Sequence, residues 1–279
     1  MNLENTINKA SEILKNHNIR SYELDAQIIL SDIMGVEREF LITNNEINIS
    51  KKVVEKYDNA IKRRIKKEPV AYIIGEKEFW SQNFRVNHST LVPRPESELL
   101  IYKLVNYFKN KRINILDIGT GSGCILLSLL KKLHLSRGIG IDISSKAVKT
   151  AEINSNKLNL LYRSKFKVVD IHNFNVGSYD LIVSNPPYVA LKDIKNLSKE
   201  ILNYEPLIAL KGGFDGLDLI KKVIYKSKYL LKTNGLLGIE IGTNQYFKVL
   251  NILKKNGFRE ADKEYDYNHN VRCIISTKM

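Results

Sequence analysis

Cysteine is nearly absent from this chain of 279 residues, which carries only Cys124 and Cys273. Two thiols so far apart in the sequence argue against a disulfide-framed scaffold and fit a reducing cytoplasm, where we expect the protein to be located. The five histidines are scattered without metal-ligand spacing, so we predict no metal site. No apolar run approaches the roughly 20 residues that span a bilayer, and the start, Met1-Asn2-Leu3-Glu4-Asn5, does not resemble a signal peptide.

Acidic residues are too few to balance the basic ones: 30 Asp and Glu stand against 44 Lys and Arg, which gives a net charge of +14. Residues 1–90 hold 14 basic and 13 acidic residues, so nearly all of the excess lies in the remainder of the chain. A basic surface could serve a nucleic-acid or ribonucleoprotein partner. The lysines, however, are spread along a chain that is also rich in Asn and Ile, which favours a general compositional bias.

Proline is scarce as well, with six residues, yet two of them are adjacent in Ser184-Asn185-Pro186-Pro187-Tyr188. This stretch follows an apolar run at 181–183 that is typical of a short buried strand. Because prolines have a fixed φ and no N–H, they end the strand in a rigid corner whose carbonyls stay free. A planar NH2 group could give one N–H to the Asn185 oxygen and one to the Pro186 carbonyl while lying against the Tyr188 ring. The alternative is a proline turn that only ends a strand.

The chain divides into three predicted parts. Helical periodicity predicts a small helical domain at residues 1–70, whose basic run Lys62-Arg63-Arg64 is predicted to face solvent. Residues 71–92 predict a β-hairpin linker with its turn at Ser81-Gln82-Asn83. Residues 93–279 open with a helix and then alternate strand and helix, which indicates a parallel sheet covered on both faces. We predict strands near 112–117, 138–142, 166–169, 179–184, 235–241, 257–262 and 271–276, and helices near 98–109, 123–133, 145–157, 216–232 and 244–255.

A glycine-rich turn follows the first strand of this alternating region, in Asp117-Ile118-Gly119-Thr120-Gly121-Ser122-Gly123. Glycines here permit a positive φ and let the backbone approach a ligand closely. The spacing is G-x-G-x-G, and Cys124 stands where the dinucleotide fingerprint would need a further glycine. Asp117 would repel a pyrophosphate but suits the ammonium group of an amino-acid-like ligand.

Acidic residues also end the next two strands. Asp142 is placed to accept both hydroxyls of a ribose, by the logic of the acidic residue in dinucleotide-binding folds. Asp170 or the adjacent backbone can meet an adenine edge, and the apolar Ile171 could pack on the ring. Partners for an ammonium, a ribose and an adenine together describe S-adenosylmethionine, although each carboxylate alone could be an exposed strand-end charge. Asn185 follows the fourth strand at the same carboxyl edge. The cofactor is therefore predicted to meet the two acceptors for the NH2 group, Asn185 and the Pro186 carbonyl, which we call the nitrogen clamp.

With these motifs, the sequence resembles the release-factor glutamine methyltransferases. The resemblance runs from about residue 69 to the end, and residues 1–67 match in helical character only. Beyond the two loops, it is carried by Gly75-Glu76-Lys77-Glu78-Phe79-Trp80, Pro93-Arg94-Pro95-Glu96-Ser97-Glu98, Tyr204-Glu205-Pro206, Gly212-Gly213-Phe214-Asp215-Gly216-Leu217 and Asn270-Val271-Arg272. The resemblance implies an α/β fold of class I S-adenosylmethionine-dependent methyltransferases. This fold is Rossmann-like, with a seven-stranded, mostly parallel sheet, joined here by a β-hairpin linker to a small N-terminal all-helical domain that would recognise the substrate.

The resemblance also implies the reaction and its residues. The substrate would be the glutamine in the Gly-Gly-Gln loop of peptide chain release factors, with S-adenosylmethionine as donor and S-adenosylhomocysteine as product. By position, Gly119 to Gly123, Asp142 and Asn185 would bind the cofactor, and Asn185 to Tyr188 would bind the glutamine. Among these, Asn185, Pro186 and Tyr188 would be catalytic. Ile171 stands where the family often has an aromatic residue. We expect a monomer with no membrane partner and no need for nucleic acid.

The sequence leaves three other functions open. An adenine-N6 methyltransferase on DNA or RNA would share the glycine loop and the Asn-Pro-Pro-Tyr motif, but the sequence offers no separate target-recognition domain. A methyltransferase for a ribosomal-protein glutamine would use the same chemistry. A non-catalytic cofactor-binding module, such as a ribosome assembly factor, belongs to a different class and would not need the nitrogen clamp at Asn185.

Overall fold

The computed structural model describes residues 2–279, which form two compact units. One comprises the residues up to Glu76 together with Ser198–Tyr204, and the other comprises Lys77–Leu197 and Glu205–Met279. The domain boundaries predicted after residues 70 and 92 stay a proposal. Throughout residues 2–279, no helix is long and apolar enough to cross a membrane.

Helices form the first part of the chain, and strands and helices follow one another from residue 76 onward. Within residues 2–279 the helices are α1 (Leu3–Asn16), α2 (Tyr22–Met34), α3 (Arg38–Thr43), α4 (Lys51–Ile65), α5 (Val70–Ile74), α6 (Glu96–Phe108), α7 (Cys124–Lys132), α8 (Ser145–Lys157), α9 (Lys199–Tyr204), α10 (Asp218–Leu230) and α11 (Tyr246–Lys255). The strands are β1 (Glu76–Phe79), β2 (Gln82–Arg85), β3 (Asn114–Ile118), β4 (Arg137–Asp142), β5 (Ser164–Val168), β6 (Tyr179–Ser184), β7 (Leu231–Glu240), β8 (Phe258–Tyr265) and β9 (Val271–Lys278). Short 3-10 helices lie at Ile171–Asn173, Leu191–Asn196 and Leu207–Ala209.

Helices α1 to α5 and α9 make up the first unit. Polar side chains cap the N-termini of two of these helices: Asn2 accepts a hydrogen bond from the Asn5 N–H, and Ser50 accepts one from the Val53 N–H. The apolar faces of α1, α2 and α4 meet in a core where the Tyr57 hydroxyl donates to the Ala26 carbonyl at 2.9 Å. The periodicity therefore predicted α1 to α4 correctly.

The prediction that Lys62-Arg63-Arg64 faces solvent is wrong for Arg64. Its side chain is only 5% exposed and pairs with Asp25 at 2.6 Å and with Glu200 of α9 at 2.7 Å. Arg64 also donates to the Glu68 carbonyl. Because α4 turns by about 100° per residue, a basic run cannot keep all of its members on one face, and Arg64 lies on the buried one.

The second unit is built on a seven-stranded sheet with the order β5-β4-β3-β6-β7-β9-β8. The strands are parallel except β9, which runs antiparallel to both β7 and β8. Alternate residues of each central strand enter opposite cores: Ile115 and Leu181 lie in one, Leu116 and Ile182 in the other. The chain leaves β3 toward β4 and β5 and then returns to β6 on its other side. The switch point of the topology, where ligands bind in open α/β sheets, therefore lies between the carboxyl ends of β3 and β6.

The hairpin of β1 and β2 turns one residue earlier than predicted. Trp80 and Ser81 form the turn with φ values of 52° and 56°, and Gln82 already belongs to β2. Phe79 and Phe84 are both buried and contact edge to face, with ring centroids 6.1 Å apart. Burial of this pair fixes the register of the hairpin, which the turn preference of Asn83 does not override.

Candidate active site

The glycine loop joins β3 to α7 in the conformation that its residue types predict. Gly119, Gly121 and Gly123 have φ values of 73°, 55° and 80°. The N–H groups of Gly119 and Thr120 both donate to the Ile141 carbonyl, which fixes the loop against the end of β4. A side chain at Gly119 or Gly121 would meet no atom within 4 Å. Glycine is therefore required there by φ, and the loop presents bare backbone to open space.

Asp117 lies at the base of this loop and is 1% exposed. Its Oδ2 atom accepts from the Thr120 hydroxyl at 2.7 Å, whereas Oδ1 has no hydrogen-bond partner among residues 2–279. Burial raises the pKa of Asp117 to about 7, against the opposing effects of Thr120 and the Leu126 backbone. A cationic donor would both complete its hydrogen bonding and favour its ionised form.

Asp142 organises the loop from the neighbouring strand. Its Oδ2 atom accepts from the Gly121 N–H at 3.0 Å, and its Oδ1 atom accepts from the Ser144 N–H at 2.9 Å. The side chain remains partly exposed, and each oxygen keeps a lone pair for a further donor. The structure thus gives Asp142 a loop-holding function that the sequence did not suggest, beside the predicted ribose site.

Asp170 and Ile171 follow β5 and face different environments. The exposed Asp170 accepts from the His172 N–H at 2.7 Å and begins the 3-10 turn. Ile171 is 6% exposed and belongs to the core cluster beneath α10. The side chain of Ile171 therefore offers little surface to an adenine ring, and the backbone and Asp170 are what this strand end presents.

The Asn-Pro-Pro-Tyr corner begins directly after β6, beside the glycine loop. The Ser184 hydroxyl donates to the Ile118 carbonyl at 2.7 Å, which ties the end of β6 to the last residue of β3. The Asn185 side-chain Nδ2 donates to the Ser97 hydroxyl at 3.0 Å. Within residues 2–279 neither the Asn185 Oδ1 atom nor the Pro186 carbonyl accepts a hydrogen bond. Two acceptors are thus available in a corner that is fixed to the end of β3, beside the glycine loop.

Tyr188, the last residue of the corner, is held by charged side chains. Its hydroxyl donates to Glu240 Oε1 at 3.1 Å and accepts from Arg272 Nη2 at 3.0 Å. The Arg272 guanidinium also lies 5.4 Å from the centre of the Tyr188 ring. Burial, aided by the negative Glu240, raises the pKa of Tyr188, so its hydroxyl stays protonated. Tyr188 therefore acts as a neutral wall of the corner rather than as a base.

The loop Gly212–Leu217 packs against the Asn-Pro-Pro-Tyr corner and the residues that follow it. Leu210 and Gly212 exchange backbone hydrogen bonds with Val189, and Gly213 accepts from the Leu191 N–H. Gln245 joins both segments, because its Nε2 donates to the carbonyls of Tyr188 and Gly216. This close packing requires glycine at position 216, because a side chain at Gly216 would lie 2.4 Å from the Tyr188 carbonyl oxygen.

Two more of the family-like stretches meet in an ion pair. Arg94 donates to Glu205, whose side chain is 1% exposed, and Glu205 also accepts from the Val92 N–H. These contacts fix the chain that leads into α6, the helix that carries Ser97. The stretches Pro93–Glu98 and Tyr204–Pro206 are therefore joined through Arg94 and Glu205.

The sequence analysis did not single out Ser97, Glu240 and Arg272, which contact the Asn-Pro-Pro-Tyr corner directly or through one another. An acidic residue at the end of a strand is the feature that pointed to Asp117, Asp142 and Asp170. The same feature marks Glu240, because Glu240 is the last residue of β7 and lies at the same edge of the sheet. Ser97 and Arg272 stand in stretches that resemble family blocks, but only the fold shows what they contact.

Comparison with known proteins agrees with the fold. Residues 109–258 match the methyltransferase domain family, and residues 5–75 match the PrmC N-terminal domain. The crystal structure of a methyltransferase from Pyrococcus furiosus aligns with a TM-score of 0.54 at 16% identity, over 79% of this chain and 98% of that one. The fold is that of a Rossmann-like methyltransferase, as predicted.

Full-length relatives define the family more closely. A release factor glutamine methyltransferase from Buchnera aphidicola subsp. Schizaphis graminum is 40% identical, with 100% of both chains covered. One from Clostridium acetobutylicum is 35% identical over 100% of this chain and 99% of its own. This chain belongs to the release factor glutamine methyltransferase family, and the resemblance predicted from its sequence is confirmed.

Proposed function

We propose that this chain transfers a methyl group from S-adenosylmethionine to the side-chain amide nitrogen of the glutamine in the Gly-Gly-Gln loop of peptide chain release factors. The observation that carries the proposal is the pair of available acceptors, Asn185 Oδ1 and the Pro186 carbonyl, held beside the glycine loop. A primary amide has two N–H groups, and this corner offers one acceptor for each. The names of the full-length relatives support glutamine as the substrate.

The residues of the loop suit this cofactor. Gly119 and Gly121 leave open space where a ligand can approach the backbone, and the unpaired oxygen of Asp117 suits the ammonium group of an amino-acid-like ligand. Asp142 can accept ribose hydroxyls with its remaining lone pairs, and Asp170 offers an exposed carboxylate at the adenine side. We assign the cofactor to Asp117, Gly119 to Gly123, Asp142, Asp170, the backbone at Ile171 and Asn185.

An amide nitrogen is a weak nucleophile because its lone pair is delocalised into the carbonyl. By accepting both N–H groups, Asn185 and Pro186 hold the nitrogen in one plane and stabilise the positive charge that grows on it during attack. Pro187 keeps the corner rigid, and the Tyr188 ring supports the amide from one face. Proximity contributes on the order of several kcal/mol to lowering the barrier.

When bound, S-adenosylmethionine would supply an electrophilic methyl group: the C–S bond would break as the N–C bond forms, and sulfur would keep the electron pair. The methylated nitrogen would then carry a positive charge and become acidic, so it would release a proton to water without a dedicated base. Asn185 and Pro186 remain bonded to the N–H groups up to that point. The product is an N5-methylglutamine.

The setting of the reaction follows from the same proposal. We infer a cytoplasmic monomer whose partner is the release factor and whose helical N-terminal domain, residues 1–70, recognises that protein. Residues 71–92 would link it to the methyltransferase domain at 93–279. Nucleic acid is not required.

The proposal is tested by labelled methyl transfer to a purified release factor, compared with the same factor carrying Gln→Ala in its Gly-Gly-Gln loop. We expect label on the native factor only. Label on DNA or RNA added to the mixture, with none on the release factor, would contradict the proposal. Cofactor binding without transfer to any acceptor would instead indicate a binding module.

A further inference from the structure

A buried chain of hydrogen bonds lies behind the clamp. It runs from Asn185 Nδ2 to the Ser97 hydroxyl at 3.0 Å and from that hydroxyl to Glu240 Oε2. Glu240 Oε1 accepts from Tyr188, which in turn accepts from Arg272. Ser97 is 2% exposed and Glu240 is 0% exposed. The hydrogen bonds from Ser97 and from Tyr188 therefore end on one carboxylate, that of Glu240, which has no contact with solvent.

The direction of these bonds is fixed by chemistry. An ionised carboxylate can only accept, and a serine hydroxyl has one hydrogen to donate. Because the hydrogen of Ser97 goes to Glu240, Ser97 can only accept from Asn185. The NH2 end of the Asn185 amide must then face Ser97, and its oxygen must face the opposite way.

We propose that Glu240 and Ser97 are positioning residues that set the flip of the Asn185 amide, so that its oxygen and not its NH2 group faces the substrate glutamine. This inference rests on the proposed function. A flipped Asn185 would present a donor to a substrate nitrogen that carries only donors, and the clamp would lose one of its two acceptors. The two orientations of an amide have nearly the same shape, so packing alone cannot choose between them.

Arg272 and Tyr188 favour the ionised form of Glu240, the form that can only accept hydrogen bonds. Burial raises the pKa of Glu240, and Glu96 acts in the same direction. Ser97, the positive Arg272 at 3.8 Å and the Tyr188 hydroxyl oppose that shift. A protonated Glu240 could donate to Ser97, which would then be free to donate to Asn185 and permit the wrong flip.

The test compares Ser97→Ala with two controls. Ser97→Thr keeps the hydroxyl, and Ser128→Ala removes an equally buried serine hydroxyl that has no partner among residues 2–279. The single-turnover rate of methyl transfer and the Kd for S-adenosylmethionine are measured for each. For Ser97→Ala we expect a rate about tenfold lower, the effect of one lost polar contact, with an unchanged Kd. Ser97→Thr should recover most of the rate, and Ser128→Ala should keep all of it.

Glu240→Gln tests the polarity of the chain directly. The variant keeps the size of the side chain but replaces an accepting atom with a donor, and we expect a lower rate with cofactor affinity retained. A wild-type rate in Ser97→Ala, or an equal loss in Ser97→Ala and Ser128→Ala, would overturn the proposal.

A readout without turnover separates this proposal from the proposed function. The side-chain NH2 signals of Asn185 are assigned in a 15N-labelled sample by their loss in Asn185→Ala. In the wild type we expect slow hydrogen exchange of the proton that faces Ser97, and in Ser97→Ala fast exchange of both. Equal exchange in the two proteins would overturn the positioning role even if the wild type methylates a release factor. Failure of the wild type to methylate any release factor would overturn the proposed function alone.

Discussion

Asp117 is buried beside the glycine loop with one oxygen unpaired, and such a carboxylate is costly to keep ionised. Its pKa, raised to about 7 by burial, lies above the value near 3.9 of an unfolded chain. Between these two values the folded state holds a proton that the unfolded state has lost. Stability from this residue is therefore present below pH 4 and is lost as the pH rises toward 7.

Asp117→Asn should remove this pH dependence while weakening the cofactor site. At pH 8 we expect the variant to melt at least ~2 °C higher than the wild type, since about 1 kcal/mol moves Tm by that amount in a chain of this size. We also expect its affinity for S-adenosylmethionine to fall about tenfold, the effect of one lost charged hydrogen bond. Melting curves from pH 4 to 8 and calorimetric titration measure both. Parallel stability profiles of the two proteins would contradict this account of Asp117.

Asn185→Ala tests the clamp at the same scale. Because the residue supplies one of two acceptors for the substrate nitrogen, we expect kcat to fall by roughly 10²-fold or more, as for the loss of one preorganised polar group. Cofactor affinity should change far less, since the glycine loop and its acidic residues are intact. Steady-state kinetics and calorimetry separate the two effects, and equal losses in kcat and affinity would argue against the clamp.

At the scale of helices, strands and loops, neighbouring segments hold the Asn-Pro-Pro-Tyr corner in place. The loop Gly212–Leu217 packs on the backbone of Tyr188, and Gln245 at the start of α11 joins the two. Ser184 ties β6 to β3. The Asn-Pro-Pro-Tyr corner is therefore positioned by contacts from segments outside it.

Gly216→Ala should displace the corner. The residue has φ 77°, and its new side chain would lie 2.4 Å from the Tyr188 carbonyl. Gly257→Ala is the matched control, with φ 82° and no atom within 4 Å. Both variants should lose about 1 kcal/mol of stability from backbone strain, but only Gly216→Ala should lose activity, by about tenfold or more. Equal kcat values for the two variants would show that the loop does not position Tyr188.

The sequence predicted the regular elements better than the connections between them. The strands of the seven-stranded sheet and the long helices that cover it were predicted to within a few residues, because their apolar patterns repeat with clear periods. The short helices α5 and α9 and the 3-10 turns were missed, since a few residues carry too little periodicity. The motif residues were proposed from local chemistry. Ser97 and Glu240, however, contact each other across 143 positions, a pairing that only the fold reveals.

At the scale of the whole chain, residues far apart in sequence complete the first unit. Arg64 of α4 bonds Asp25 of α2 and Glu200 of α9 while only 5% exposed. Removing one member of a buried ion pair leaves the other charge without a partner. The helical unit therefore depends on a segment that lies more than 130 residues further along the chain.

Arg64→Leu should lower the free energy of unfolding by about 3 kcal/mol, because it leaves Asp25 buried and unpaired. Lys62→Leu, an exposed change on the same helix, should cost less than about 0.5 kcal/mol. Denaturant titration followed by circular dichroism measures both. A similar loss for the two variants would show that the ion pair contributes little.

Mass spectrometry tests most directly whether the Asn-Pro-Pro-Tyr corner directs a methyl group to a glutamine side chain. A release factor is incubated with S-adenosylmethionine and either the wild-type protein or Asn185→Ala, and its peptides are then sequenced. We predict one added methyl group on the side-chain nitrogen of the glutamine in the Gly-Gly-Gln loop with the wild type, and almost none with the variant. A methyl group on another residue, or equal methylation by both proteins, would contradict the claim.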